Sequence, residues 1–161
     1  MSIKVGDKMP EGTLTIMGNE GPGPMSTDDL FTGKKVVIFA VPGAFTPACS
    51  AKHLPGFVAN SDSLKNKGVD DIACLSVNDV FVMDAWGKAH NADSKVMMLA
   101  DGNADYVMRL GLDLDASGFG MGTRAERFAL IVEDGKVSHL FKESVISEVK
   151  ESSAENILAN L

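Results

Sequence analysis

From Lys34 to Val41 the chain reads Lys34-Lys35-Val36-Val37-Ile38-Phe39-Ala40-Val41, a β-branched and nearly continuous apolar run. Such a run predicts a strand buried on both faces of a sheet. Pro42-Gly43-Ala44-Phe45-Thr46-Pro47 breaks it, and from about Ala48 onward Leu54, Phe57, Val58 and Leu64 fall near helical spacing. A strand therefore feeds a helix, which Pro55-Gly56 is expected to kink. The alternation continues. Asp71 to Val77 predicts a second buried strand, and Asn78 or Asp79 can cap a helix with Phe81, Val82, Ala85, Trp86 and Ala89 on one stripe. Val96 to Ala100 predicts a third strand, followed by a helix over Ala104 to Leu110 that stops at Gly111. Arg127 to Val132 and Lys136 to Phe141 flank Glu133-Asp134-Gly135, the pattern of an antiparallel hairpin with an Asp-Gly turn.

The ends of the chain carry weaker patterns. Thr13-Leu14-Thr15-Ile16 alternates as a short strand would, whereas Gly18 to Pro24, with four glycines and prolines in its last four positions, is expected to be loop. Gly118-Phe119-Gly120-Met121-Gly122 has neither a preceding strand nor a following Lys-Ser/Thr, so it predicts a surface loop and no nucleotide site. Ser152 and Glu155 form a capping-box pattern ahead of Ile157, Leu158 and Leu161, so the chain should close with a helix. Together these elements predict an α/β fold with a mixed central sheet and flanking helices. The 161 residues suit one domain, spanning 1–161.

Composition narrows the function classes. With 45% hydrophobic and 23% charged residues the chain is an ordinary globular one, which excludes collagen, coiled coil and disorder. A formal charge of −7 argues against a nucleic-acid or polybasic membrane-surface partner. No stretch approaches a membrane span, and the first residues lack a signal-peptide core, so a cytoplasmic location is expected, with organellar import of a longer precursor left open. Two cysteines, Cys49 and Cys74, are too few for a disulfide scaffold and too far apart for CxxC. His53, His90 and His139 have no ligand-like spacing, so neither a metal nor a cofactor is indicated.

In open α/β sheets ligands gather at the carboxyl ends of the strands, which directs attention to the loop from Pro42 to Cys49. Cys49 falls in the first turn of the predicted helix, where unpaired N–H groups and the helix dipole favour a thiolate. The alternative is a small buried hydrophobe. Thr46, three residues earlier in a turn stiffened by Pro42 and Pro47, can hold its hydroxyl toward the sulfur or close a local turn. Thr46-Pro47-Ala48-Cys49 keeps one thiol where a dithiol oxidoreductase would have two.

The segment Pro42-Gly43-Ala44-Phe45-Thr46-Pro47-Ala48-Cys49-Ser50, followed by His53-Leu54-Pro55-Gly56-Phe57, resembles the active-site signature of the peroxiredoxins, in their type II branch. Leu75-Ser76-Val77-Asn78-Asp79, Ala100-Asp101-Gly102 and Arg127-Phe128-Ala129 extend the resemblance along most of the chain. It implies a thioredoxin-like fold and a thiol peroxidase. Cys49 would attack the O–O bond of hydrogen peroxide or an alkyl hydroperoxide and become a sulfenic acid. Thr46 and Arg127 would bind the peroxide, with Pro42 and Gly43 completing its site. A guanidinium suits the part, because its forked donors can stabilise both the thiolate and the charge that develops on oxygen.

Arg124, three residues earlier, competes for that role, but Arg127 directly precedes the predicted strand, as the family's arginine does. His53 is expected to pack or hydrogen-bond locally, and Cys74 to fill core. No cysteine follows Cys74, which favours a one-cysteine cycle recycled by an external thiol, glutathione with glutaredoxin or thioredoxin. A homodimer is also implied, with contributions from aromatic residues around the active-site face. Other enzymatic readings are a thiol-disulfide oxidoreductase or a glutathione-dependent transferase on the same fold, and a redox sensor or holdase is the non-enzymatic one.

Overall fold

The computed structural model describes residues 1–161. Strands β1 (Thr13–Gly18) and β2 (Gly21–Ser26) form a hairpin, followed by helix α1 (Thr27–Phe31) and strand β3 (Lys35–Val41). Helices α2 (Leu54–Ala59) and α3 (Ser61–Asn66) lead to β4 (Asp71–Ser76), α4 (Val80–Ala89), β5 (Met97–Ala100) and α5 (Asp105–Leu110). Strands β6 (Asp113–Asp115) and β7 (Thr123–Ala125) make a separate small ribbon, and β8 (Phe128–Glu133), β9 (Lys136–Lys142) and α6 (Ala154–Ala159) complete the chain. Seven strands form one sheet in the order β2-β1-β5-β4-β3-β8-β9. β3, β4 and β5 are parallel, while β8 is antiparallel to β3 and β1 is antiparallel to β5, so the expected mixed α/β sheet is present.

The apolar run of β3 lies at the centre. Val36, Ile38 and Ala40 enter the core layer that α5 covers with Tyr106, Val107 and Leu110, while Val37, Phe39 and Val41 enter the opposite layer with Phe57, Trp86 and Ile157. Period-two alternation in a strand that is apolar throughout thus supplies both layers at once. At the far end of the sheet the β8–β9 hairpin turns through Asp134 (φ 47°) and Gly135 (φ 79°), the paired positive dihedrals expected of an Asp-Gly turn.

Four local expectations are corrected. Gly21 to Ser26 is a strand and not a loop. It sits at the sheet edge, and its register places Pro22 opposite Met17 and Pro24 opposite Thr15. Thr27 N–H bonds to the Gly12 carbonyl, so by alternation the two prolines occupy non-hydrogen-bonded positions, where a missing N–H costs no ladder bond. On α4 the buried face is Val80, Met83, Trp86 and Gly87, whereas Phe81 is 65% exposed, so the predicted stripe was rotated. The cap of α6 is Ser153, which accepts from Asn156 N–H, because Ser152 is buried and otherwise engaged. The glycine-rich segment is the exposed surface loop expected, but a strand does precede it: the segment forms the tip of the β6–β7 ribbon, closed by Ala116 N–H to the Gly122 carbonyl at 2.8 Å.

Candidate active site

The loop that leaves β3 is held from several sides. Phe45 adopts a left-handed conformation (φ 64°), a strained choice for an aromatic residue that persists only where its neighbours enforce it. Asn78 does part of this: its Oδ1 accepts from Ala44 N–H at 3.0 Å and from the Ser76 hydroxyl at 2.6 Å. That leaves Asp79 as the cap of α4, accepting from Val82 N–H at 2.8 Å. Arg124 braces the loop from behind, donating to the carbonyls of Val77 and Met121, both at 2.9 Å. A side chain on Gly43 would come within 3.4 Å of Arg124 Nη1 and 3.1 Å of Thr46 Cγ2, so a larger residue there would push against the brace and against Thr46. Arg124 is thus a structural brace and does not contact the sulfur.

Helical structure begins at Pro47 and passes at once into a π-helical turn, Cys49–His53, before α2. Leu54 N–H reaches back five residues to the Cys49 carbonyl, and Pro55 next in line has no N–H to donate. The expected kink is therefore a widened turn, one of the ways a helix accommodates an interrupted ladder. It brings Cys49 and His53 to the same guanidinium. Arg127, immediately ahead of β8, donates from Nη2 to Cys49 Sγ at 3.0 Å and from Nη1 to His53 Nδ1 at 2.9 Å, while its Nε donates to the Ile146 carbonyl at 2.8 Å. The other side of the imidazole fixes its tautomer. A carbonyl only accepts, so His53 Nε2, 3.0 Å from the Ser152 carbonyl, carries the proton and Nδ1 receives the arginine. Burial, and then the Arg127 charge, lower the His53 pKa from 6.5 to about 3 against the opposing pull of the Ser152 carbonyl and Glu143. The ring is neutral at any ordinary pH.

Cys49, His53 and Arg127 are all buried, and no carboxylate contacts the guanidinium. A buried cation requires compensation. Cys49 is the one group touching it that can become an anion. Arg127 has five N–H donors, of which three are engaged, and it also lines a cavity of about 560 Å³ with Pro42, Thr46, Phe119, Met121 and Ile146. The glycine-rich tip therefore walls this cavity. Thr46 lies on its edge, but its hydroxyl donates to the Gly43 carbonyl at 2.6 Å and forms the local turn, leaving its oxygen as an acceptor toward the cavity. No hydrogen bond joins it to the sulfur.

Cys74 occupies β4 opposite Phe39 of β3 and Met98 of β5, in the same core layer as Cys49. Burial, reinforced by neighbouring Cys49, pushes its thiol pKa well above the usual value. Both cysteines are free. No group of three or more His, Cys, Asp or Glu side chains is placed to hold a metal ion, and no helix is long and apolar enough to cross a membrane.

Sequence reasoning gave His53 only a packing or local hydrogen-bonding role, and it passed over Asn78 as a loop anchor. The available signals were the four-residue offset of His53 from Cys49 on one helical path, and an asparagine directly after a buried strand.

Comparison with known proteins agrees with this geometry. The Redoxin family model matches residues 4–158. The chain is 48% identical to Peroxiredoxin-2B of Arabidopsis thaliana over 160 residues, covering 99% of this chain and 98% of that one. It is 46% identical to the chloroplastic Peroxiredoxin-2E of the same plant over 165 residues, covering 99% of this chain and 70% of that one. The solved structure of reduced Prx3 from Vibrio vulnificus in complex with H2O2 superposes with a TM-score of 0.93 at 49% identity, covering 98% of both chains. With its thioredoxin-like sheet, this chain belongs to the Redoxin family as a peroxiredoxin, a thiol-dependent peroxidase.

Proposed function

We propose that Cys49 is the peroxidatic cysteine and that Pro42, Gly43, Thr46 and Arg127 form the peroxide site, the whole chain 1–161 acting as one peroxiredoxin domain. The observation that carries this is the 3.0 Å contact between Arg127 Nη2 and Cys49 Sγ, in a buried site where the guanidinium has no carboxylate partner. Arg127 sets a fixed cation and a directed N–H against that sulfur, the compensation that an attacking thiolate needs. The thiolate attacks one oxygen of hydrogen peroxide or an alkyl hydroperoxide, the O–O bond breaks, and the distal oxygen leaves as water or an alcohol after taking a proton. The remaining N–H groups of Arg127 stabilise the charge on that departing oxygen, and Thr46 accepts from the peroxide proton across the cavity. Pro42 keeps water from the sulfur.

Cys49 then carries a sulfenic acid. Attack by an external thiol releases water and gives a mixed disulfide, and a second thiol restores Cys49. Cys74 sits in strand hydrocarbon and no cysteine follows it, which supports glutathione with glutaredoxin, or thioredoxin, as the reductant. Phe45, in the loop ahead of Cys49, and Phe81 on α4 are 56% and 65% exposed, and apolar side chains left in solvent support a homodimer. A cytoplasmic location fits the composition, while the chloroplastic relative favours keeping an organelle in view. Stopped-flow peroxide reduction with each candidate reductant, followed by mass spectrometry of Cys49, tests the scheme. A +16 Da adduct on Cys49, cleared by one reductant, is expected. Oxidation elsewhere, with Cys49 unmodified during turnover, would overturn it.

A further inference from the structure

We infer that Glu143 is a positioning residue for the peroxidase reaction: it clamps residues 143–152 into the loop whose backbone carbonyls aim Arg127 and His53 at Cys49. The inference rests on Cys49 being the attacking sulfur. Glu143 follows β9 and is buried, and its Oε2 accepts from the Ser152 hydroxyl at 2.6 Å, Ser152 N–H at 2.7 Å and Lys150 N–H at 3.0 Å. Burial works against this carboxylate, but the hydrogen bonds from Ser152 and Lys150 outweigh it and hold its pKa below the usual range. Its backbone N–H donates to the carbonyl of Arg127 itself at 3.0 Å.

The loop so closed has no helix or strand of its own to shape it. Yet it supplies the Ile146 carbonyl to Arg127 Nε and the Ser152 carbonyl to His53 Nε2, and Ile146 and Ser147 line the cavity. Apart from the sulfur and the imidazole, the Ile146 backbone carbonyl is the one hydrogen-bond partner of the Arg127 guanidinium. If the clamp loosens, the guanidinium loses the acceptor that sets its tilt, and the imidazole loses the acceptor that sets its tautomer. No lysine or arginine pairs with Glu143, so an ordinary salt bridge does not account for a carboxylate in this place. A small misplacement of a group that must meet a transition state costs rate steeply.

The test compares Glu143→Gln and Ser152→Ala with the parent in a Cys74→Ser background, where one thiol reports, alongside Cys49→Ser. Single-turnover peroxide reduction is expected to slow roughly tenfold in Glu143→Gln and less in Ser152→Ala. The pH midpoint for alkylation of Cys49 by iodoacetamide should rise in both, a change that a merely structural clamp would not produce. Ser152→Ala keeps the carboxylate and the backbone donors, so it remains informative if Glu143→Gln folds poorly. Parental rates and alkylation profiles in the folded variants, with any effect confined to melting temperature, would overturn the role of Glu143. Undiminished peroxide reduction by Cys49→Ser would instead overturn the assignment of the sulfur.

Discussion

Cys49 and Cys74 face the same core layer and are equally hidden from solvent, yet their surroundings differ in kind. Cys74 is held in mid-strand between Phe39 and Met98, where burial favours the neutral thiol. Cys49 lies where the chain bends out of β3 into a π-helical turn, against a guanidinium that has no other anion to face. What separates the two sulfurs is therefore the charge placed next to each, and the π turn matters because it brings that charge within reach.

The sharpest way to break this comparison is to exchange the fates of the two residues. Cys49→Ser should reduce peroxide turnover to background in a coupled assay, and substantial residual turnover would mean that the wrong sulfur had been chosen. Removing the charge comes next: Arg127→Ala should lower the second-order rate of Cys49 oxidation by roughly 10²-fold, as loss of one preorganised donor does elsewhere. A rate within twofold of the parent would show that the guanidinium does not distinguish the two cysteines.

His53 provides a thermodynamic test. Its folded pKa, about 3, lies below the unfolded value of 6.5, so between these pH values the unfolded chain binds a proton that the folded one does not. The stability tied to His53 is thus complete above pH 6.5 and falls as the pH drops toward 3. By pH 5 the loss is roughly 2 kcal/mol. Denaturant titrations at pH 7 and pH 5 should show this decline, and His53→Gln should flatten it, whereas an equal decline in that variant would place the acid sensitivity elsewhere. The smallest effect is expected at the other cysteine. Cys74→Ser should leave single-turnover oxidation within about twofold while costing about 1 kcal/mol for a hydroxyl in the core. A large kinetic loss there would erase the distinction.

Much of the frame was legible because long patterns dominate it. β3 and β4 are apolar runs between polar residues, and Asp134-Gly135 marks its hairpin without help from tertiary structure. β2 was not legible, since Pro22 and Pro24 read as breakers until the register shows that neither N–H was needed. α1 is a single turn, too short for a period, although Ser26 caps it through Asp29 N–H. On α4, Gly87 is buried because it packs closely against Met98, a contact that a hydrophobic count along one helix cannot register. The site divides in the same way. Cys49, Thr46 and Arg127 stand out through a dense local motif and a strand start, whereas His53 meets the Ser152 carbonyl across 99 positions of sequence. Glu143 is marked only by its place just after a hairpin.

The prolines of β2 bear on more than the local ladder. With Pro22 and Pro24 at positions whose N–H would point outward, the outer margin of the sheet offers few donors to an incoming chain, so a neighbouring molecule finds little to template on. That flank of the molecule is thereby guarded against coagulating with its own kind.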